Sequence, residues 1–235
     1  MRDLIKYGDS IELPKPLLTD DFSYPNGLVA DRKGGTGWGD FQWIGNGMAV
    51  IVGELNRRSS DDPDVQSHRN FKNPAATKEL FVSIDLRVGA AAVQQSDWWS
   101  LDFSVGVANP VLKVTKEQGS NEIQLKQGGT ESSRISLEPD RKYRIRACYD
   151  LDQKVLSLWV DASPLAGGKI APPPRIAYYD AKTGKSNADA RREGVTGLDN
   201  ANTITLSASR PGYFFDNLVI ADRSNADGID IVRNR

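Results

Sequence analysis

The chain has 235 residues, with 30 Lys plus Arg against 31 Asp plus Glu, 39% hydrophobic and 26% charged residues. That composition is globular rather than disordered, and the balanced charge argues against a nucleic-acid or anionic-membrane binder. One Cys and one His exclude an internal disulfide and a Cys-rich zinc or iron–sulfur site.

The N-terminal MRDLIKYGDSIELPKP carries charges throughout and has no apolar core of signal-peptide length. The longest apolar runs, Met48 to Val52 and Val88 to Val93, fall far short of the ~20 residues of a spanning helix, so no membrane insertion is expected. Asn56–Lys78 is polar, reads as irregular and holds the sole His. In ELFVSIDLRV, residues Leu80, Val82, Ile84, Leu86 and Val88 alternate with Phe81, Ser83, Asp85 and Arg87. In WWSLDFSVGV, residues Trp99, Leu101, Phe103, Val105 and Val107 alternate with Trp98, Ser100, Asp102, Ser104 and Gly106. Such alternation describes strands with one dry and one wetter face. Weaker strands are predicted at 111–117 and 122–126, separated by the turn-forming QGSN. YRIRACYD and KVLSLWVD read as a tight hairpin. Ser163–Leu198, rich in proline, reads as a long loop, with a short helical candidate at Ala188–Glu193 before Gly194. TITLSAS and YFFDNLVIA, linked by RPG, form the last pair. Roughly ten short strands without intervening helices mean an antiparallel sandwich or barrel.

Three segments resemble the concanavalin A-like (laminin-G-like) jelly-roll modules of exported bacterial proteins. The first is DDFSYPNGLVADRKGGTGWGDFQWIG at Asp20–Gly45. The second is RIRACYDLDQKVLSLWVDASP, and the third is TITLSASRPGYFFDNLVIAD. The resemblance implies an all-β, two-sheet antiparallel jelly-roll sandwich over residues 20–222, with an N-terminal extension at 1–19 and a C-terminal tail at 223–235. It also implies an extracellular or periplasmic setting and a polysaccharide or glycan partner. Members of that superfamily bind carbohydrate, cleave polysaccharide or serve as assembly domains of surface proteins and particles. The reading favoured here is a non-catalytic carbohydrate- or ligand-binding module. The alternatives are a lyase or hydrolase acting on an acidic glycan, and a structural domain.

Catalytic signatures are sparse. Glycoside hydrolysis takes two carboxylates about 5 Å apart in the retaining case, and no strand presents alternating acids away from a turn. His68, beside Gln66, Arg69, Asn70 and Lys72, is the one candidate base for a lyase. No G-x-S-x-G elbow or phosphate loop occurs. Cys148 reads as a structural strand residue. For ligand binding, Trp98 and Asp102 share a wet strand face, and Arg87, Arg144 and Arg146 occupy the wet faces of other strands. If those strands belong to one sheet, the face suits an acidic or sulfated glycan; otherwise the arginines read as an ion-pair lattice. Trp38, Trp43 and Trp159 read as core. The resemblance further implies a structural calcium bridging the first and last strands, with Asp20 or Asp21 and Asp216 as the matching carboxylates. Asp216 shares its predicted face with apolar Phe214, Leu218 and Ile220, so it needs a metal, an arginine or backbone amides as partner. The tail string RSNADGID fails as an EF-hand loop, because Arg223 and Asn234 fall at ligand positions.

Overall fold

The computed structural model describes residues 16–59, 61, 63–72, 79–90, 97–104, 110–119, 122–127, 130–131, 135–150, 152–163, 190–197 and 201–222. Among them there is no helix, and hence none long and apolar enough to cross a membrane. The predicted continuation of the second strand to Val107, the side chains of Cys148 and Trp159, the proline-rich segment and the tail RSNADGID lie outside the described residues.

Two antiparallel sheets form the sandwich. Numbered along the chain, the larger contains β1 (Pro16–Asp20), β2 (Gly27–Leu28), β4 (Met48–Ile51), β5 (Glu54–Arg57), β7 (Glu79–Val88), β13 (Lys142–Asp150), β14 (Val155–Ser163), β15 (Ala190–Arg192) and β17 (Tyr213–Asp222). Its order is β15-β14-β13-β7-β17-β5-β4-β2, with β1 also on β17. The smaller contains β3 (Trp43–Ile44), β6 (Gln66–Asn70), β8 (Trp99–Ser104), β9 (Pro110–Lys116), β10 (Glu122–Gln127), β11 (Thr130–Glu131), β12 (Ile135–Ser136) and β16 (Thr203–Ala208). Its order is β11-β10-β9-β8-β16-β6-β3, with β12 on β10. The first and last strands of the described residues, β1 and β17, pair antiparallel.

The period-two pattern explains the core. Leu80, Val82, Ile84, Leu86 and Val88 of β7 are buried, as are Tyr143, Ile145, Ala147 and Tyr149 of β13. From the facing sheet, Trp99 and Leu101 of β8 and Ile204, Leu206 and Ala208 of β16 meet them. Trp99 closes the interface against Tyr213 at 6.4 Å and Phe215 at 5.8 Å, both on β17. Trp38 and Trp43 lie in this core.

Three expectations need correction. His68 sits in strand β6 rather than in an irregular loop. The helical candidate at Ala188–Glu193 contains strand β15, which pairs with β14 through Leu156 and Arg192; the open edge of β14 outweighs a short local pattern. Asp216 does not share a face with Leu218 and Ile220. The register slips between Asp216 and Val219, and Asn217 takes φ 49°. This bulge adds one residue and flips the alternation. Phe215, Leu218 and Ile220 are fully buried, while Asp216 is partly exposed.

The Asp20–Gly45 segment owes its pattern to one buried carboxylate. Asp20 Oδ1 accepts from the Phe22 amide at 3.0 Å. Its Oδ2 accepts from Tyr24 OH at 2.7 Å, Trp43 Nε1 at 2.8 Å and Arg69 Nη1 at 2.8 Å. Arg69 also donates to the carbonyls of Phe41 and Gly34 and lies 4.3 Å over the Trp38 ring. Trp38 Nε1 donates to the Thr19 carbonyl at 2.8 Å. Gly35 has φ +79°, and a Cβ there would stand 2.0 Å from the Thr19 carbonyl oxygen, which accounts for glycine in the GGxGW turn. The hub joins β1 of one sheet to β3 and β6 of the other.

Candidate functional site: the outer face of the smaller sheet

The four strands β6, β16, β8 and β9 lie side by side, and their register fixes which side chains share a row. Thr205 pairs with His68 on one side and Asp102 on the other, and Asp102 pairs with Lys113. One row therefore reads His68, Thr205, Asp102, Lys113. On one side lie Gln66, Ser207, Ser100 and Thr115; on the other lie Asn70, Thr203 and Ser104. Since Trp99, Leu101, Ile204 and Leu206 fill the core, these alternating residues face outward.

Trp98 prolongs this face. The Ser209 amide donates to the Trp98 carbonyl at 2.8 Å, and the Trp98 amide donates to Ser209 Oγ at 2.9 Å. Trp98 precedes the inward Trp99, so it stands on the polar side, and it is partly exposed. Glu117 follows Lys116, the partner of Trp99, and so continues the register opposite Trp98.

Thr203, Thr205 and Ser207 on β16 and Ser100 and Ser104 on β8 are short and nearly fully buried. Gln66, His68 and Asn70 on β6, Asp102 between Ser100 and Ser104 on β8, and Lys113 on β9 are all at least partly exposed. Exposed Ile44 pairs with His68 at the sheet edge.

Asp102 Oδ1, Ser104 Oγ and Thr205 Oγ1 are buried and have no hydrogen-bond partner among the described residues. A buried polar atom left unmatched costs about 1–3 kcal/mol, so these three atoms on neighbouring positions of one face are a local cost to stability. Burial raises the Asp102 carboxyl to about 6, opposed by nearby Lys113 and a hydrogen bond from Ser100, and assisted by Glu117. Burial also lowers the His68 pKa.

The outer face of the larger sheet is different. Arg144 forks onto Asp85, with Nε to Oδ1 at 2.7 Å and Nη2 to Oδ2 at 3.0 Å. Lys142 Nζ lies 3.7 Å from the same carboxylate, and Asn217 Nδ2 donates to it at 3.0 Å. Arg87 pairs with Glu54 and stacks at 3.7 Å over Phe214. Arg146 lies on β13, paired in register with Ser83, and is buried. The structure thus separates the residues that the sequence grouped conditionally. Trp98, Asp102 and His68 share the smaller sheet, while Arg87, Arg144 and Arg146 belong to the opposite sheet, where Arg87 and Arg144 are committed to carboxylates.

Asp21 is exposed, and its Oδ1 accepts from the Ser23 amide at 3.2 Å and Ser23 Oγ at 2.8 Å. Asp216 accepts from the Asn217 amide at 2.7 Å and from Asn217 Nδ2 at 3.0 Å. Burial raises its carboxyl to about 6. In all four of these contacts the partner is a hydrogen-bond donor, and Asp20 accepts from four donors as well. Calcium takes six to eight oxygens; among the described residues no group of three or more His, Cys, Asp or Glu comes together for a metal.

The residues missed in the sequence are the short hydroxyls Thr205 and Ser104, together with Lys113 and Glu117. Thr203, Thr205 and Ser207 alternate with Ile204, Leu206 and Ala208, so a polar face was visible on β16; which strands flank it was not. β6 was hidden for another reason. Its inward residues are Ser67 and Arg69, both 0% exposed, and Arg69 serves the Asp20 hub, so no hydrophobic alternation marks the strand.

No protein-family model and no curated protein matches the chain. Solved structures do. The chain is similar to the metal-free carbohydrate recognition domain of Emp46p, with 9% identity, TM-score 0.51, and coverage of 77% of this chain and 88% of that one. It is also similar to the binding domain of botulinum neurotoxin serotype D, with 9% identity, TM-score 0.53, and coverage of 93% and 50%. The binding domain of botulinum neurotoxin DC in complex with SialylT matches with 10% identity, TM-score 0.53, and coverage of 89% and 50%. The chain thus spans about half the length of the toxin chains it matches. At these identities the likeness concerns the fold alone, and with the two packed antiparallel sheets it establishes a concanavalin A-like jelly-roll sandwich.

Proposed function

We propose that this protein binds carbohydrate on the outer face of the smaller sheet. The observation that carries the reading is the row of partly exposed polar side chains His68, Asp102 and Lys113 on one face, with partly exposed Trp98 at its end. Sugar hydroxyls both donate and accept, so they suit a carboxylate flanked by an imidazole and an ammonium, and an aromatic ring covers the apolar face of a pyranose. The likeness to a carbohydrate recognition domain and to a toxin binding domain solved with SialylT supports the same reading. An extracellular or periplasmic location belongs to it.

The test is retention of the purified chain on a panel of immobilised neutral and acidic polysaccharides. Binding that is lost in Thr205→Val and Trp98→Ala, with thermal unfolding showing both variants folded, is expected. No retention on any polysaccharide, or retention indifferent to both substitutions, refutes the proposal.

One observation favours a catalytic second reading. His68, shifted toward its neutral form, and Asp102, shifted toward its acid form, flank Thr205 in one row, and opposed titration is how acid and base roles are divided. A glycosidase of the two-carboxylate kind needs a second acid beside the bond, and the row holds only Asp102, so lyase chemistry with His68 as base is the form to test. Product release from an acidic polysaccharide that survives His68→Ala unchanged removes this reading.

A further inference from the structure

The lateral edge of the sandwich has a chemistry of its own. We infer that the edge closed by β2 and β3 is a self-association surface, and that its partner is a second copy of this chain in a two-fold arrangement. Such association does not depend on carbohydrate binding.

Exposed apolar side chains concentrate there. β2 and β3 end the larger and the smaller sheet, and the chain after β2 crosses from one to the other. The Val29 amide donates to the Met48 carbonyl at 3.2 Å, the Asp31 amide to the Trp43 carbonyl at 2.8 Å, and the Trp43 amide to the Arg32 carbonyl at 3.0 Å. All the exposed large hydrophobic side chains among the described residues sit on this edge or in the turns beside it. They are Leu28 in β2, Phe41 before β3, Ile44 within it, and Ile51 and Val52 at the β4–β5 turn. Apolar surface residues scattered singly are ordinary, whereas their concentration in one place marks an interaction surface. Val52 is the clearest case. It is 82% exposed at φ 52°, a backbone conformation that disfavours a β-branched side chain. Its amide donates to Asn26 Oδ1 at 2.8 Å, which ties the turn to the residues leading into β2. β2 spans only 2 residues, and the crossover bonds to β3, so the edge offers side chains rather than a ladder for strand pairing.

Charge selects the occupant. Asp31, Lys33 and Asp40 are exposed and Arg32 is partly exposed. None of these side chains is in an ion pair among the described residues. Asp31 Oδ1 accepts from Gln42 Nε2 at 2.8 Å, Arg32 Nε donates to the Leu28 carbonyl at 3.4 Å, and Glu54 in β5 is already held by Arg87. The acids Asp31 and Asp40 balance the bases Arg32 and Lys33, so the edge has no net attraction for an anionic lipid surface or a nucleic acid. Acid and base stand side by side instead, and a two-fold rotation sets the acids of one copy against the bases of the other. An isologous interface demands that self-complementarity, and apolar contacts rimmed by polar groups are its ordinary anatomy. The strap that carries Lys33 and Asp40 is pinned at its middle. Thr36 and Thr19 exchange backbone hydrogen bonds at 2.9 and 3.0 Å, and Trp38 Nε1 donates to the Thr19 carbonyl, so little ordering is lost on association.

The experiment is sedimentation velocity of the full chain from about 1 μM to about 1 mM, the affinity range of a small interface. A monomer–dimer equilibrium is expected, weakened about tenfold or more by Val52→Asp. Asp tolerates left-handed backbone and the position is exposed, so this variant should unfold no earlier than the parent on heating. A second arm tests the charges. Lys33→Glu and Asp40→Lys each set like charges across the two-fold axis and should weaken the dimer, while an equimolar mixture of the two variants should associate again as a heterodimer. A parent that stays monomeric throughout overturns the inference, as does a dimer indifferent to Val52→Asp. A mixture that fails to associate, or open polymers in place of a dimer, overturns the two-fold arrangement. Flotation of the chain with phosphatidylcholine–phosphatidylserine vesicles, lost in Val52→Asp, makes lipid the occupant and overturns it as well.

Discussion

Replacing Asp102 by Asn keeps the shape of the side chain and removes its titration. In the folded protein the Asp102 carboxyl is raised from its ordinary value of 3.8 to about 6, with burial as the main cause. A native pKa above the unfolded one means that the folded state holds the proton more tightly. Stability is therefore greatest with Asp102 protonated, declines as the pH rises from about 4 to about 6, and is level above that. The shift is worth about 3 kcal/mol at 1.36 kcal/mol per pH unit. For a chain of this size that corresponds to about 6–12 °C in Tm. Asp102→Asn is thus expected to match the parent near pH 3.5 and to exceed it by up to about 3 kcal/mol at pH 7. Urea unfolding followed by tryptophan fluorescence, from pH 3.5 to 8, reads the difference directly. A difference that is flat with pH, or a variant less stable at pH 7 than at pH 4 relative to the parent, refutes the argument.

Other expectations follow from the same geometry. Asp20→Ala leaves Arg69, with both side chains at 0% exposure, as an uncompensated buried charge and should cost about 3–5 kcal/mol in urea unfolding; a loss below about 1 kcal/mol would show that the hub is not structural. Val52, at φ 52° and 82% exposed in the β4–β5 turn, is a β-branched residue in left-handed backbone. Asn suits that position, so Val52→Asn should raise stability by about 1 kcal/mol, and an unchanged or lower Tm would count against the strain. Gly35→Ala, which would bring a Cβ to 2.0 Å from the Thr19 oxygen at φ +79°, should destabilise by more than about 1 kcal/mol in calorimetric unfolding. Arg87→Ala removes a group paired with Glu54 on the opposite sheet, so glycan retention measured by pull-down should stay within twofold of the parent; a clear loss would move the site to the larger sheet.

The alternation in β7, β8 and β13, with a period of two and a dry face, was legible from the residues alone, because burying one face of a sheet demands it. The same local information named Trp98, Asp102 and His68 as candidates, and set Trp38 and Trp43 in the core. It failed wherever a residue answers to something distant in the chain. His68 looked like part of a loop because its inward neighbour is Arg69, whose partner Asp20 lies far back in the chain. Asp216 was placed on the apolar face because a bulge one residue long at Asn217 leaves no mark on a pattern until the neighbouring ladders are known. Alternation tells a side chain only which of two faces it takes. Whether Arg144 and Asp102 stand together or back to back depends on which strands hydrogen-bond, and that pairing is long-range. The tertiary structure alone decided it, sending Arg87 and Arg144 to an ion-paired face and setting Asp102 between Thr205 and Lys113 on the other.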